Sequence, residues 1–324
     1  MKRRCALYML LAFGIAPLLS FAQPPAKVWR VGFLETTVAE RNEANIAAFR
    51  KAMQEFGYVE GKHYVMEYRS SDGRNDRFPD LAAELVRLKV DVIVVRGTPA
   101  ALALQKATST IPVVVTATDA PLLFADSLAR PGRNVTGMTA MNAALQGKRL
   151  QLVRELVPGF TRLASVQNMG NAAVVSAQRE LETAAQSLGV KVRLMDVRKA
   201  EDLGPAIDEA AKQRAQMMVV GMDGLIQSNG PRIVELATRH RIPTMFQARD
   251  FVQQGGLISY GVNYPDLYRR SASYVDRIFK GAKAGDLPME QPTKFDLVVN
   301  LKTAKTLGIA IPQTVLLRAD EVIE

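Results

Sequence analysis

Short apolar runs recur along this chain, and the segments between them carry their apolar residues at helical spacing. WRVGFL (29–34), VDVIVV (90–95) and PVVVT (112–116) read as strands buried on both faces, while YVMEYR (64–69) alternates as a half-buried strand. Between them, Ile46, Phe49, Met53 and Phe56 share one helical face, and Gly57 stops that helix. Phe78, Leu81, Leu85 and Leu88 share another, and a third helix begins at Pro99. Strands alternating with helices imply an α/β fold, with a mostly parallel, doubly wound sheet covered on both faces.

The pattern then restarts. RLASVQ (162–167), VKVRLMDV (190–197), QMMVVG (216–221) and residues 243–247 read as strands, with helices over 171–188, 201–213 and 231–239. Gly57 precedes YVMEYR, an amphipathic helix and VDVIVV; Gly189 precedes VKVRLMDV, a similar helix and QMMVVG. Two lobes of like construction follow, each with right-handed crossovers. A turn-rich stretch, Arg130-Pro131-Gly132-Arg133-Asn134, lies between them. Farther on, GGLISYGVNY (255–264) is a strand with glycines, 265–280 a helix, and KFDLVVN (294–300) a strand followed by a short helix before Gly308. A tail of this kind returns across the lobes and gives three crossings, near 137–141, 259–263 and 288–293. The expected division is 27–138 with 262–290 in lobe 1, and 139–261 with 291–324 in lobe 2.

Ahead of the first strand, Lys2, Arg3 and Arg4 precede the apolar run ALYMLLAFGIAPLLSFA (6–22), which ends in small residues at Ser20 and Ala22. This order reads as a secretory signal peptide cut before Gln23, with a periplasmic address. The run is short for a membrane span, and Pro17 interrupts it. The only cysteine, Cys5, leaves with that segment, so the mature chain has no disulfide, zinc–thiolate site or cysteine nucleophile. The formal net charge of +10 loses three units with Lys2, Arg3 and Arg4. The other basic residues are scattered among acids, the pattern of a solvated basic surface, and no nucleic-acid partner is expected.

No catalytic constellation is legible. His63 and His240 have no acidic or histidine partner at ligand spacing, so neither a metal nor any other cofactor is expected. Gly147-Lys148 continues to Arg149, which fails the P-loop pattern, and no G-x-G-x-x-G follows the first strand. Gly256-Leu257-Ile258-Ser259 lacks the glycine two before serine that a nucleophile elbow needs. What the chain does present is polar, turn-forming residues after several strands, the edge where open α/β sheets bind ligands. Glu35, Thr36 and Thr37 follow the first strand, and Gly97, Thr98 and Pro99 follow VDVIVV. There Thr98 suits an N-cap, Pro99 suits the first helical turn, and free N–H groups suit a carboxylate. Thr118 and Asp119 follow PVVVT; Asn168 and Asn171 follow RLASVQ; Asp223 and Gln247 follow two later strands. Asp119 or Asp223 is the candidate partner for a ligand ammonium group, and Tyr260 is a candidate stacking residue. Each of these positions also has an ordinary reading as a cap or turn residue.

Gly57-Tyr58-Val59-Glu60-Gly61-Lys62 followed by YVMEYR resembles the GYVEGKN…IEYR signature of an exported ABC-transporter substrate-binding family, which includes tryptophan- and aromatic-amino-acid-binding members. FPDLAAELVRLKVDVIVVRGTPAALALQKAT (78–108), SLARPGRNVTG (127–137), GKRLQLVRELVPG (147–159), residues 266–308 and RADEVIE (318–324) are similar to family text. The resemblance spans nearly the whole mature chain. It implies a type I periplasmic-binding-protein fold, with two lobes, a three-crossover hinge and a ligand cleft that closes by hinge motion. It also implies a monomeric, non-enzymatic solute-binding component that delivers a small molecule, best matched by an amino acid or related carboxylate, to an ABC permease. An exported ligand sensor for a membrane receptor is the alternative, and an enzyme on the same fold a more distant one. Departures fall at the site. The family's G-D-P is here Asp119-Ala120-Pro121 after Thr118, and its W-N-P-x-N-P is here Gln167-Asn168-Met169-Gly170-Asn171-Ala172. Asp119, Asn168 and Asn171 carry over; their apolar neighbours do not.

Overall fold

The apolar runs become the centres of two sheets in the computed structural model, which describes residues 27–324; the expected signal segment, with Cys5 and the cut before Gln23, lies outside the described residues. Strands β1 (Trp29–Glu35), β2 (Tyr64–Ser70), β3 (Val92–Arg96), β4 (Val113–Thr118) and β5 (Val135–Thr139) form the first sheet, in the order β2-β1-β3-β4-β5, with every pair parallel. The second sheet holds β6 (Arg162–Gln167), β7 (Lys191–Asp196), β8 (Met217–Val220), β9 (Thr244–Phe246), β10 (Ile258–Val262), β11 (Phe295–Asn300) and β12 (Glu321–Ile323), in the order β12-β11-β10-β9-β8-β6-β7. Only the β10–β11 pair is antiparallel.

Continuous apolar runs are tolerated in β3 and β4 because helices cover both faces of the first sheet. Val92 and Val94 pack toward Phe49 and Met53 of helix Glu43–Glu55 and toward helix Tyr264–Phe279. Ile93 and Val95 pack toward helices Phe78–Arg87 and Thr98–Ala107 through Phe78, Leu85 and Leu104. Burying each such side chain contributes about 1.5–3 kcal/mol. Leu85, fully buried, is a position where truncation to alanine costs about 2–5 kcal/mol. The edge strand β2 is only half-buried, as its alternating sequence requires.

Three crossings join the sheets. The chain leaves β5 for helix Gln146–Leu156, which packs against the second sheet. It returns from β10 directly into helix Tyr264–Phe279 on the first sheet, and passes back after Glu290 into β11. Residues 137–139 of the crossing expected near 137–141 belong instead to β5, since Val135 and Met138 are fully buried beside β4. Gly137 (φ 130°) allows this contact, because a Cβ there would lie 2.0 Å from the Val115 carbonyl oxygen.

The crossings are tied to one another. The Thr139 N–H donates to the Glu290 carbonyl and the Glu290 N–H to the Gly137 carbonyl, each at 2.9 Å. Arg149, fully buried on helix Gln146–Leu156, donates from Nε to the Tyr260 carbonyl (2.7 Å), from Nη1 to the Asn142 carbonyl (3.0 Å) and from Nη2 to Asn142 Oδ1 (2.9 Å). It thereby links the first crossing to the middle of β10. Burial pushes its guanidinium down to about 10, against the pull of Asp119.

Candidate ligand-binding cleft

The C-terminal ends of β1, β3 and β4 meet those of β6, β8 and β9 around an internal cavity of about 60 Å³. Both sheets therefore present the strand edge at which α/β folds bind ligands. From the first sheet come Thr36, Arg96, Gly97, Thr98, Pro99, Thr118 and Asp119; from the second come Gln167, Asn171, Asp223 and Gln247. Tyr264, at the start of its helix, closes one side, and Ala173, Val174, Ala177 and Met222 supply an apolar wall.

Arg96 dominates the electrostatics. Its residue is 4% exposed, and Nη1 and Nη2 have no hydrogen-bond partner among the described residues. The β3–β4 register shifts between Val95 and Arg96, a local irregularity of the kind that re-aims a side chain beside a site. Its guanidinium lies over the Tyr264 ring, 4.1 Å from the centroid. Glu35, at the end of the neighbouring β1, is fully buried; Tyr268 Oη donates to its Oε1 at 2.6 Å, and Oε2 has no partner among the described residues. Burial pushes the Glu35 carboxyl up to about 7, against the opposing effects of the Arg96 charge and the Tyr268 hydrogen bond.

The predicted helix-start site is only partly available. Gly97 (φ 88°), not Thr98, holds the N-cap position, and its N–H donates to the Ala117 carbonyl at 3.0 Å. Pro99 has no N–H. The Thr98 hydroxyl instead pairs with the Thr118 hydroxyl at 2.8 Å. Asp119 is likewise engaged. Its two oxygens accept from the Asn142 N–H (2.6 Å) and from Asn142 Nδ2 (2.9 Å), on the same Asn142 that Arg149 grips. Burial raises its carboxyl above the usual range, against these hydrogen bonds and the Arg149 charge.

On the facing side, Asp223 caps helix Gly224–Ser228 by accepting from the Ile226 N–H at 3.0 Å, and Asn171 caps helix Ala172–Ser187 through the Ala173 N–H at 3.1 Å. Both keep a place on the cavity wall. Burial raises Asp223 to about 6, against the Ile226 N–H and the Asn168 amide. Across the cleft, Thr36 Oγ1 donates to Gln227 Oε1 at 2.8 Å, and Arg41 Nη1 donates to the Ser228 carbonyl at 2.9 Å.

Nine of the positions singled out in the sequence meet at this cavity: Thr36, Gly97, Thr98, Pro99, Thr118, Asp119, Asn171, Asp223 and Gln247. Three do not line it. Thr37 is turned toward an outer groove, since the chain bends after Thr36. Asn168 sits behind Asp223 and donates to it. Tyr260 lies on β10, where its ring packs near Phe295 and only its carbonyl reaches the hinge arginine. The aromatic residue at the cavity is Tyr264, one helical turn later in sequence; its place directly after the capping Asn263 and before Pro265 was the available signal. Arg96, Gln167 and Asn142 were also missed. Arg96 ends an otherwise apolar strand, which is itself a signal, because a charge there needs a partner. His63 and His240 stand apart from the cavity, His240 beside Asp208 at 2.7 Å. No group of three or more potential metal ligands occurs among the described residues.

The family model for ABC transporter substrate binding protein matches residues 39–323. The "Tyrosine-binding protein" of Clostridioides difficile is 24% identical over 263 residues, covering 81% of this chain and 75% of that protein. Two crystal structures superpose closely. A conserved domain protein of Vibrio cholerae has a TM-score of 0.86 at 28% identity, covering 91% of this chain and all of that one. A Streptococcus pneumoniae ABC domain in complex with L-Trp has a TM-score of 0.85 at 24% identity, covering 92% of this chain and all of that one.

Proposed function

This chain belongs to the ABC transporter substrate binding protein family, and from that premise we propose that its cleft captures an amino acid or related small carboxylate. The chain is the solute-binding component of an ABC transporter, on the two-lobed type I periplasmic binding fold, and the family works outside the cytoplasm with an ABC permease. The reading of the ligand rests on one observation above all: a cavity lined from both lobes whose walls carry opposite charges, Arg96 on one side and Asp223 on the other. The relatives named for tyrosine and solved with L-Trp support it. In this reading the ligand's carboxylate lies at Arg96, Thr98 and Thr118. Asp223 takes the ammonium group, since it stands on the wall facing Arg96, whereas Asp119 shares the sheet of Arg96. Gln167, Asn171 and Gln247 line the far wall.

The mechanism is a population shift. A solute that touches both lobes favours the closed arrangement in which Thr36 reaches Gln227, and the permease reads that arrangement. The lobes are taken as 27–138 with 262–290 and 139–261 with 291–324. The mature protein acts as a monomer, exported and cut near Ala22. A thermal-shift screen of residues 23–324 against amino acids and small carboxylates tests the reading; stabilisation by one or a few members is the expected result. Turnover of a substrate without stabilisation by any small molecule contradicts it.

A further inference from the structure

We propose that Arg96 is the residue that selects the solute, pairing edge-on with its carboxylate, so that the cleft accepts small carboxylates and rejects their uncharged counterparts. This rests on the reading of the cleft as the solute site. Two buried arginines make the case by contrast. Arg149 uses all three guanidinium nitrogens on Tyr260 and Asn142, and is a structural brace. Arg96, almost as buried, leaves Nη1 and Nη2 without a partner among the described residues, and no carboxylate among those residues lies within 4.0 Å of its nitrogens. A buried cation is costly unless an anion meets it, so a fold with an unpaired one at a cavity wall is built for an anion that arrives from outside.

The geometry is suited to a carboxylate. One face of the guanidinium is covered by the Tyr264 ring, and the two Nη groups, shut off from solvent in this arrangement, hold its unused donors. The edge that bears them is a planar fork, and it matches a carboxylate in two parallel hydrogen bonds. The Thr98–Thr118 hydroxyl pair shares the same cavity and adds a neutral donor. Of the donors at the helix start, the Gly97 N–H is bound to Ala117 and Pro99 has none. Glu35, the acid at the end of the adjacent strand, is held by Tyr268 and forms no ion pair with Arg96.

The test compares wild type, Arg96→Gln and Arg96→Lys by thermal shift and calorimetry, using matched acids and amides: L-tyrosine and L-tyrosinamide, benzoate and benzamide, acetate and acetamide. In wild type, at least one acid should bind about 30-fold or more tightly than its amide, the scale of a charge-assisted pair. The preference should vanish in Arg96→Gln and shrink about tenfold in Arg96→Lys, whose single ammonium cannot form the fork. Without carboxylate, Arg96→Gln should melt no lower than wild type, since it removes an unpaired charge. An acid preference that persists in Arg96→Gln, or wild type indifferent to every acid, overturns the inference. If Arg96→Gln fails to fold, an unchanged preference in Arg96→Lys overturns it equally. Failure of the amino-acid reading alone looks different: benzoate or acetate binds in an Arg96-dependent way while L-tyrosine does not.

Discussion

Gly224 offers a way to separate lobe closure from folding. It is the first residue of helix Gly224–Ser228 on the second lobe, and it faces Thr36 of the first. A Cβ added there would lie 3.2 Å from Thr36 Cβ and 3.4 Å from Thr36 Cγ2. Ordinary contact needs a few tenths of an ångström more. That adjustment pushes Thr36 away from Gln227, to which it is bonded at 2.8 Å. Overpacking of this size costs about 1–2 kcal/mol, and here the cost falls only on the closed arrangement. Gly224→Ala should therefore weaken solute binding about 5- to 30-fold. Its φ is not in the left-handed region, and alanine favours the helix, so the melting temperature of the protein without solute should stay level or rise slightly. Calorimetry gives the affinity, and small-angle scattering gives the contraction on adding solute, which should be reduced. An affinity within twofold of wild type with full contraction would refute this account of closure.

Three further outcomes follow from the buried charges. Glu35 carries a folded pKa near 7, above its ordinary value, so the native state holds its proton more tightly than the unfolded chain. Its contribution to stability is complete below about 4.5 and is lost as pH rises to about 7, a change of about 3 kcal/mol. Glu35→Gln should flatten the fall in melting temperature between pH 5 and 8, and an unchanged slope would contradict the assignment. Arg149→Met strips the brace from two crossings and leaves Asp119 without its nearby cation; denaturant unfolding should show a loss of about 3–5 kcal/mol, and a loss under 1 kcal/mol would exclude the bracing role. Asp223→Asn keeps an acceptor for the Ile226 N–H but removes the charge. It should weaken an amino acid about tenfold or more while sparing the matching acid without an amino group, and equal losses for both would move the ammonium site elsewhere.

Much of this architecture is legible in the sequence because parallel strands buried on both faces must be apolar throughout. VDVIVV and QMMVVG declare β3 and β8 for that reason, and the helices between them keep their 3.6-residue period. β5 is harder to read, since Val135-Thr136-Gly137-Met138 is short and follows a turn-rich stretch; it becomes a strand through its neighbour β4 and through Glu290, 151 or more residues away along the chain. The site is legible as a set of strand ends, because topology delivers those ends to one edge. Individual roles depend on partners that sequence does not place side by side. Asp119 looks free until Asn142 is folded onto it, and Gly97 looks like a donor until Ala117 takes its N–H. Tyr260 and Tyr264 are four residues apart, but one belongs to a strand of the second sheet and the other to a helix of the first. That change of lobe puts Tyr264, not Tyr260, beside Arg96.

The central claim is that the cleft holds a small carboxylate between Arg96 and the facing lobe. Calorimetric titration of residues 23–324 with the solute that most raises the melting temperature tests it most directly. The account predicts one binding site per chain, a negative heat-capacity change from burial in the closed cleft, and loss of the heat signal in Arg96→Gln. Tight binding of an uncharged solute that is indifferent to Arg96→Gln would contradict it.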